Sequence, residues 1–128
     1  MKVRIGPYRK NRAFNIEIEP FDTWSMDHTL APIILPMLIQ LKATQHGHPA
    51  NLEEQEWDDI MDEMIWAFEQ KCRDHWEDDY YGDYVEDQKN GSMVGSFKWI
   101  DHEGMKTHQE RMTNGFKLFG KYYENLWD

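Results

Sequence analysis

The sequence predicts an α+β fold in which three main helices pack together with an N-terminal β-hairpin and one further short strand. Three observations predict it. Residues 2–6 and 13–19 alternate apolar and polar side chains with period two. Three longer stretches repeat apolar residues at steps of three and four. A short run at 93–100, MVGSFKWI, precedes the last of these stretches and reads as a strand. Runs of helices beside a small antiparallel sheet define the α+β class.

The elements follow in order. Val3 and Ile5 mark one side of the first strand, and Phe14, Ile16 and Ile18 one side of the second, opposed by Asn15, Glu17 and Glu19. Period two predicts one buried face. Gly6-Pro7 and the polar residues to Arg12 form the loop, and Pro20 stops the second strand. The first helix is expected from about Ser25 to Thr44, capped by Asp22 or Thr23. Its stripe is Met26, Leu30, Ile33, Ile34, Met37, Leu38 and Leu41. Pro32 and Pro36 each remove a donor at about 3 kcal/mol in a helix interior. A kink is expected, or a start near Pro32. Gly47 and Pro49 end the segment.

Asn51, with Glu54 three residues on, opens the second helix. Trp57, Ile60, Met61, Met64, Ile65, Phe68 and Cys72 form its apolar stripe, and Glu56, Asp59, Glu63 and Gln70 its wet face. Cys72 on that stripe reads as a buried, inert thiol. Residues 77–87, EDDYYGDYVED, read as an exposed loop and Lys89-Asn90-Gly91 as a turn. The strand at 93–100 is expected to bulge at Gly95. Asp101 caps a last helix to about Leu126, with stripe Met105, Met112, Phe116, Phe119, Tyr123 and Leu126. Gly115 and Gly120 inside it point to a close approach by a helix or a ligand. The small sheet either covers one side of the helices or pairs with a second subunit.

Length and composition bound the function. The 128 residues fit one domain, 1–128. Eighteen aromatics argue against disorder. No apolar run reaches the ~20 residues of a membrane helix. The charged N-terminus lacks the apolar segment of a secretory signal. One cysteine excludes an internal disulfide. The net charge of −10 opposes generic binding to nucleic acid. That total hides an asymmetry. Residues 1–12 carry five bases and no acid, whereas residues 51–87 carry fifteen acids against Lys71 and Arg73. The two segments are solvated surfaces, or the basic arm meets something anionic: a ligand, or the acidic middle of a neighbouring subunit.

No phosphate-cradling glycine loop, zinc-protease helix or nucleophile elbow is present in the sequence. Glu53-x-x-Glu56 and Asp59-x-x-Asp62 resemble the acidic helices of all-α nucleotide pyrophosphohydrolases, but both pairs fall on one helix, which cannot wrap a metal alone. His46-Gly47-His48 supplies two ligands without an evident third. His75 reads as a cation at a helix C-terminus. The chain is therefore expected to be non-catalytic, with no cofactor and no metal.

Aromatic and basic residues share the ends of the chain. Arg4, Tyr8, Arg9 and Arg12 lie on the first strand and loop, Trp24 and His28 begin the first helix, and Arg111 lies on the last. Rings that stack a base, with Arg forks on phosphates, bind nucleotides without a glycine loop. These seven residues form the candidate ligand-binding set, with Arg111 contributed across a subunit boundary.

Three stretches occur together: DTWSMDHTL leading into IILPMLIQLK and HGHP; EWDDIMDEMIWAFEQ; and ERMTNGFKLFGKYYENLWD. Their order and spacing resemble a family of small uncharacterised tailed-bacteriophage proteins, over about two thirds of the chain. The resemblance implies a viral source and a place in the host cytoplasm, and carries over no catalytic residue. Three roles are expected in order. The first is a counter-defence homo-oligomer that sequesters a small anionic, nucleotide-like signal between subunits. The second is a virion or assembly accessory acting through protein contacts. The third is an acidic DNA mimic, built on the segment 51–87.

Overall fold

Strand β1 (Lys2–Ile5) pairs antiparallel with β2 (Phe14–Glu17), setting Val3 against Ile16 and Ile5 against Phe14. The structure is a computed structural model that describes residues 1–89 and 91–128, with side chains described at all of these except 87–89 and 92–94. A 3-10 turn at Pro20–Thr23 leads into α1 (Met26–Thr44), and α2 spans Glu54–Cys72. A second 3-10 turn, Trp76–Tyr80, precedes the hairpin β3 (Tyr84–Lys89) and β4 (Ser92–Phe97). Helix α3 (His102–Lys121) and a last 3-10 turn at Tyr123–Asn125 end the chain. The sheets are two separate two-stranded hairpins. The α+β class and the three packed helices are as expected.

Helix α2 is the centre of the helical body, with α1 and α3 packed against it. Trp57, Met61, Met64 and Phe68 are its buried stripe, meeting Ala31 and Leu38 of α1 and Tyr122 after α3. Phe68 holds Phe116 and Phe119 edge-on, with centroids 5.2 and 5.1 Å away. The α2 N-cap is Glu53 rather than Asn51: Glu53 and Glu56 make a reciprocal capping box. Asp101 caps α3 as expected, accepting from the Gly104 amide at 2.9 Å.

Helix α1 runs unbroken through Pro32 and Pro36 and begins at Met26, not near Pro32. The missing N–H groups leave the carbonyls of His28 and Pro32 without their i+4 donors. Packing offsets that loss, since each well-buried Leu or Ile contributes roughly 1.5–3 kcal/mol, and Leu38, Ile34, Leu35 and Leu41 all pack on the core. Neither Asp22 nor Thr23 caps α1. Both lie in the preceding turn, and Ser25 is the N-cap.

Other expectations are corrected. Residues 77–87 are not a loop but the end of a 3-10 turn followed by β3. Gly95 is not bulged: it pairs in regular register with Glu86, and its bare Cα makes room for the Tyr84 ring. The turn at Lys89-Asn90-Gly91 has its middle residue, Asn90, outside the described residues; Gly91 stands at φ 79°, a left-handed conformation that suits glycine. Cys72 is exposed, as the last residue of α2, beyond the buried Phe68 and Gln70. Gln70 is buried and accepts from Arg73 at 2.8 Å. His75 lies beyond the end of α2 in the left-handed region, at φ 57°, and starts the next turn. Gly115 permits a close helix approach: a Cβ there would meet the Ala67 methyl and the Glu63 carbonyl oxygen, the latter at 2.8 Å. Gly120 has open space around it and permits no such contact.

The largest correction concerns the N-terminal hairpin. Its apolar face is not buried. Val3, Ile5, Phe14, Ile16 and Ile18 remain 43–62% exposed. The alternation sets both apolar rows on one side as expected, but none of the described residues covers that side.

Candidate functional site

The hairpin is an arm standing off the helical body. Gly6 N–H donates to Ala13 at 2.8 Å across its loop, and Arg12 Nε donates to the Gly6 carbonyl at 2.8 Å. The Arg12 guanidinium also lies 5.9 Å from the Phe14 centroid. At the base, the Met1 ammonium sits 3.1 Å from Asp22, which also accepts from the Glu19 amide at 2.8 Å. The amide bond first, and the ammonium with it, hold the Asp22 carboxyl below its usual range.

The apolar surface continues beyond the arm. Phe21 and Trp24 contact each other with centroids 5.2 Å apart, and Trp24 is 78% exposed. Met26, Leu30, Ile33 and Met37 follow on the outer side of α1, all exposed, at steps of four, three and four. Helix α1 is thus apolar toward α2 and apolar toward solvent, with Asp27 and Lys42 its only Asp, Glu, Lys or Arg residues. A helix apolar all round belongs in an interior. Beside it, between α1 and the end of α3, lies an open apolar groove of about 1020 Å³ lined by Leu30, Met37, Leu41, Phe119, Tyr123 and Leu126, among others.

The seven residues chosen from sequence do not come together in one chain. Arg4, Tyr8, Arg9 and Arg12 lie on the arm, Tyr8 being 92% exposed. Arg4, Arg9 and Arg12 form no ion pair among the described residues. Trp24 and His28 lie at the arm's base and the start of α1, where His28 faces Asp27 at 3.9 Å. Asp27 is held mainly by Lys71 at 2.7 Å, whose hydrogen bond lowers its carboxyl. Arg111 is elsewhere: it grips Glu63 of α2 with two bonds of 3.1 and 2.9 Å and lies 3.9 Å over the Trp66 ring. Four open cavities on the helical body take no side chain from the arm or from Trp24 or His28.

Sequence reasoning missed a second feature, the surroundings of His108. This residue is buried, stacked on Trp76 at 4.3 Å and 9°, and near Trp66 at 4.9 Å. Its Nδ1 bonds the Tyr80 hydroxyl at 2.7 Å, and its Nε2 is buried with no partner among the described residues. The adjoining open cavity, about 470 Å³, brings Asp101 and Glu103 beside Arg111, whose charge Glu63 already answers. That balance does not favour an anion. The signal was His108 at a helix position four residues before Met112, on the buried stripe.

Burial above all holds the His108 imidazole below its ordinary value of 6.5, with Arg73 and Arg111 adding to the effect and Asp79 and Glu77 opposing it. The unfolded chain therefore takes up this proton first on acidification. The contribution to stability is full above about pH 6.5 and is lost as pH falls below it. The urea midpoint is expected to drop between about pH 7.5 and about pH 5.5, and to change much less in His108→Gln. An equal drop in both proteins would place the effect elsewhere.

The His46-Gly47-His48 loop is closed by the C-terminal residue. Asp128 accepts from the His46 amide at 2.8 Å and faces its ring at 3.4 Å, while His48 Nδ1 lies 3.0 Å from the Pro49 carbonyl. Among the described residues no group of three or more His, Cys, Asp or Glu side chains is placed to hold a metal ion. The acids singled out on α2 have protein partners: Asp62 meets Lys42, Glu63 meets Arg111, and Asp59 accepts from Gln55 at 2.9 Å. Among the described residues no helix is long and apolar enough to cross a membrane.

Compared with protein-family models, with curated proteins and with solved structures, the chain has no match in any of the three.

Proposed function

We propose that this chain is a non-catalytic viral accessory protein that acts through protein–protein contacts, in virion assembly or as a virion component. The observation that carries this reading is the arm and outer face of α1: an apolar surface that none of the described residues covers. A two-stranded hairpin alone is marginal in water, and needs a third strand or a packed face to be stable. Contiguous apolar patches of this extent mark interaction sites on soluble proteins. The resemblance to small tailed-phage proteins supports the viral setting. Mass spectrometry of purified particles is the test. The chain is expected in them at a fixed copy ratio, and Ile5→Asp combined with Ile16→Asp is expected to remove it. Its absence from particles and from assembly intermediates would overturn the reading.

One observation favours a second reading, sequestration of an anionic nucleotide-like ligand between subunits. The arm carries Arg4, Arg9 and Arg12, which form no ion pair among the described residues, and the exposed ring of Tyr8, with exposed Trp24 at its base. Cations next to free aromatic faces suit phosphate and base together. Isothermal titration with cyclic oligonucleotides and NAD-derived signals tests it. Heat that disappears in Arg12→Ala and Trp24→Ala supports it, and no heat from any of them removes it.

A further inference from the structure

We infer that the uncovered face of α1 is closed by a second copy of this chain, paired antiparallel about a two-fold axis between Leu30 and Ile33. The inference rests on the protein-contact reading above and names its partner. Three observations converge on it.

The first is area. A compact monomer of 15.5 kDa exposes roughly 7,200 Å², whereas this chain exposes 9974 Å². The excess, roughly 2,800 Å², exceeds the roughly 1,000–2,500 Å² that each chain of an obligate dimer buries, which leaves area enough for such an interface.

The second is pattern. Met26, Leu30, Ile33 and Met37 repeat at the four-three-four steps of a helix–helix seam. The stripe is self-complementary when reversed. Met26 then faces the second copy's Met37, and Leu30 its Ile33, as an isologous contact requires. The groove beside the stripe is where a fourth helix sits in a four-helix bundle.

The third is charge. Continuing the same antiparallel register sets the arm's base, near residue 20, against the far end of the other copy's α1. At that end Asp58 contacts Gln45 and Asp62 contacts Lys42, with Glu54 close by in the same surface. An arm with five bases against Glu17 and Glu19, a net of +3, therefore arrives at an acidic surface, and its apolar face at the groove ending in Tyr123 and Leu126. A parallel pairing would instead bring two arms of net charge +3 together.

The test uses the full chain. Native mass spectrometry is expected to give a dimer, and Met37→Asp, at an exposed position that leaves the monomer's core untouched, to weaken self-association about a hundredfold or more. A Met26→Cys/Met37→Cys double variant, made with Cys72→Ser, is expected to close under mild oxidation into a dimer whose disulfides join position 26 to position 37 of the other copy. The two positions are eleven residues apart on one helix, too far to bridge within a chain. A monomeric mass without cross-linking overturns the inference, as does linkage of 26 to 26. A monomer still found in particles would sink the dimer alone. A dimer absent from particles would sink the assembly role alone.

Discussion

Trp57→Ala is expected to lower the thermal unfolding midpoint by about 10–20 °C, from a loss of about 3–5 kcal/mol for emptying a buried Trp site. The size follows from what the side chain joins. Trp57 is 2% exposed. Its indole N–H donates to Gln45 at 2.8 Å, and its ring meets Tyr122 edge-on at 5.5 Å. One residue on α2 thus fastens the end of α1 and the end of α3. Trp57→Phe separates the contributions. It retains much of the ring packing but leaves the Gln45 amide oxygen unpaired, and is expected to cost about 1–3 kcal/mol. Melting followed by far-ultraviolet circular dichroism reads both. A loss below about 1 kcal/mol in Trp57→Ala would mean that the core lies elsewhere.

Gly115→Ala is the second large effect. One methyl group there must share space with Ala67 and with the Glu63 carbonyl, which is backbone and cannot swing aside. Helices α2 and α3 have to separate along their contact, at a cost of about 1–3 kcal/mol or more. The same change at Gly120, where nothing lies within 4 Å, is expected to stabilise by up to about 1 kcal/mol through helix propensity. Urea titration of the pair tests the contrast. Equal effects at the two glycines would contradict the packing described.

The two glycines show how far periodicity reaches. Spacing alone placed both inside α3, and only packing distinguished them. The stripes of α2 and α3 were legible because three- and four-residue steps report one apolar side of a helix directly. Alternation in the first hairpin was legible in the same way, but it reports that a face is apolar, not that this chain covers it. The acids around Tyr81, Tyr84 and Val85 hid β3, although those three residues favour strands. Arg111 shares with the arm only the pattern of a cation near rings. Its grip on Glu63, forty-eight positions away, depends on which helix faces which, and no local pattern carries that. His108 is a polar residue in an apolar row, and only packing shows that this arrangement buries an imidazole between Trp66 and Trp76.

Whether the arm is covered in solution is read most directly by hydrogen exchange at the amides of β1 and β2. In the wild-type chain these amides are expected to exchange slowly, alongside those of α2, because a partner packs on the hairpin. In Met37→Asp they are expected to exchange near the unprotected rate while α2 stays protected. Rapid exchange of the arm in both proteins, with α2 protected in both, would contradict an arm held by a partner.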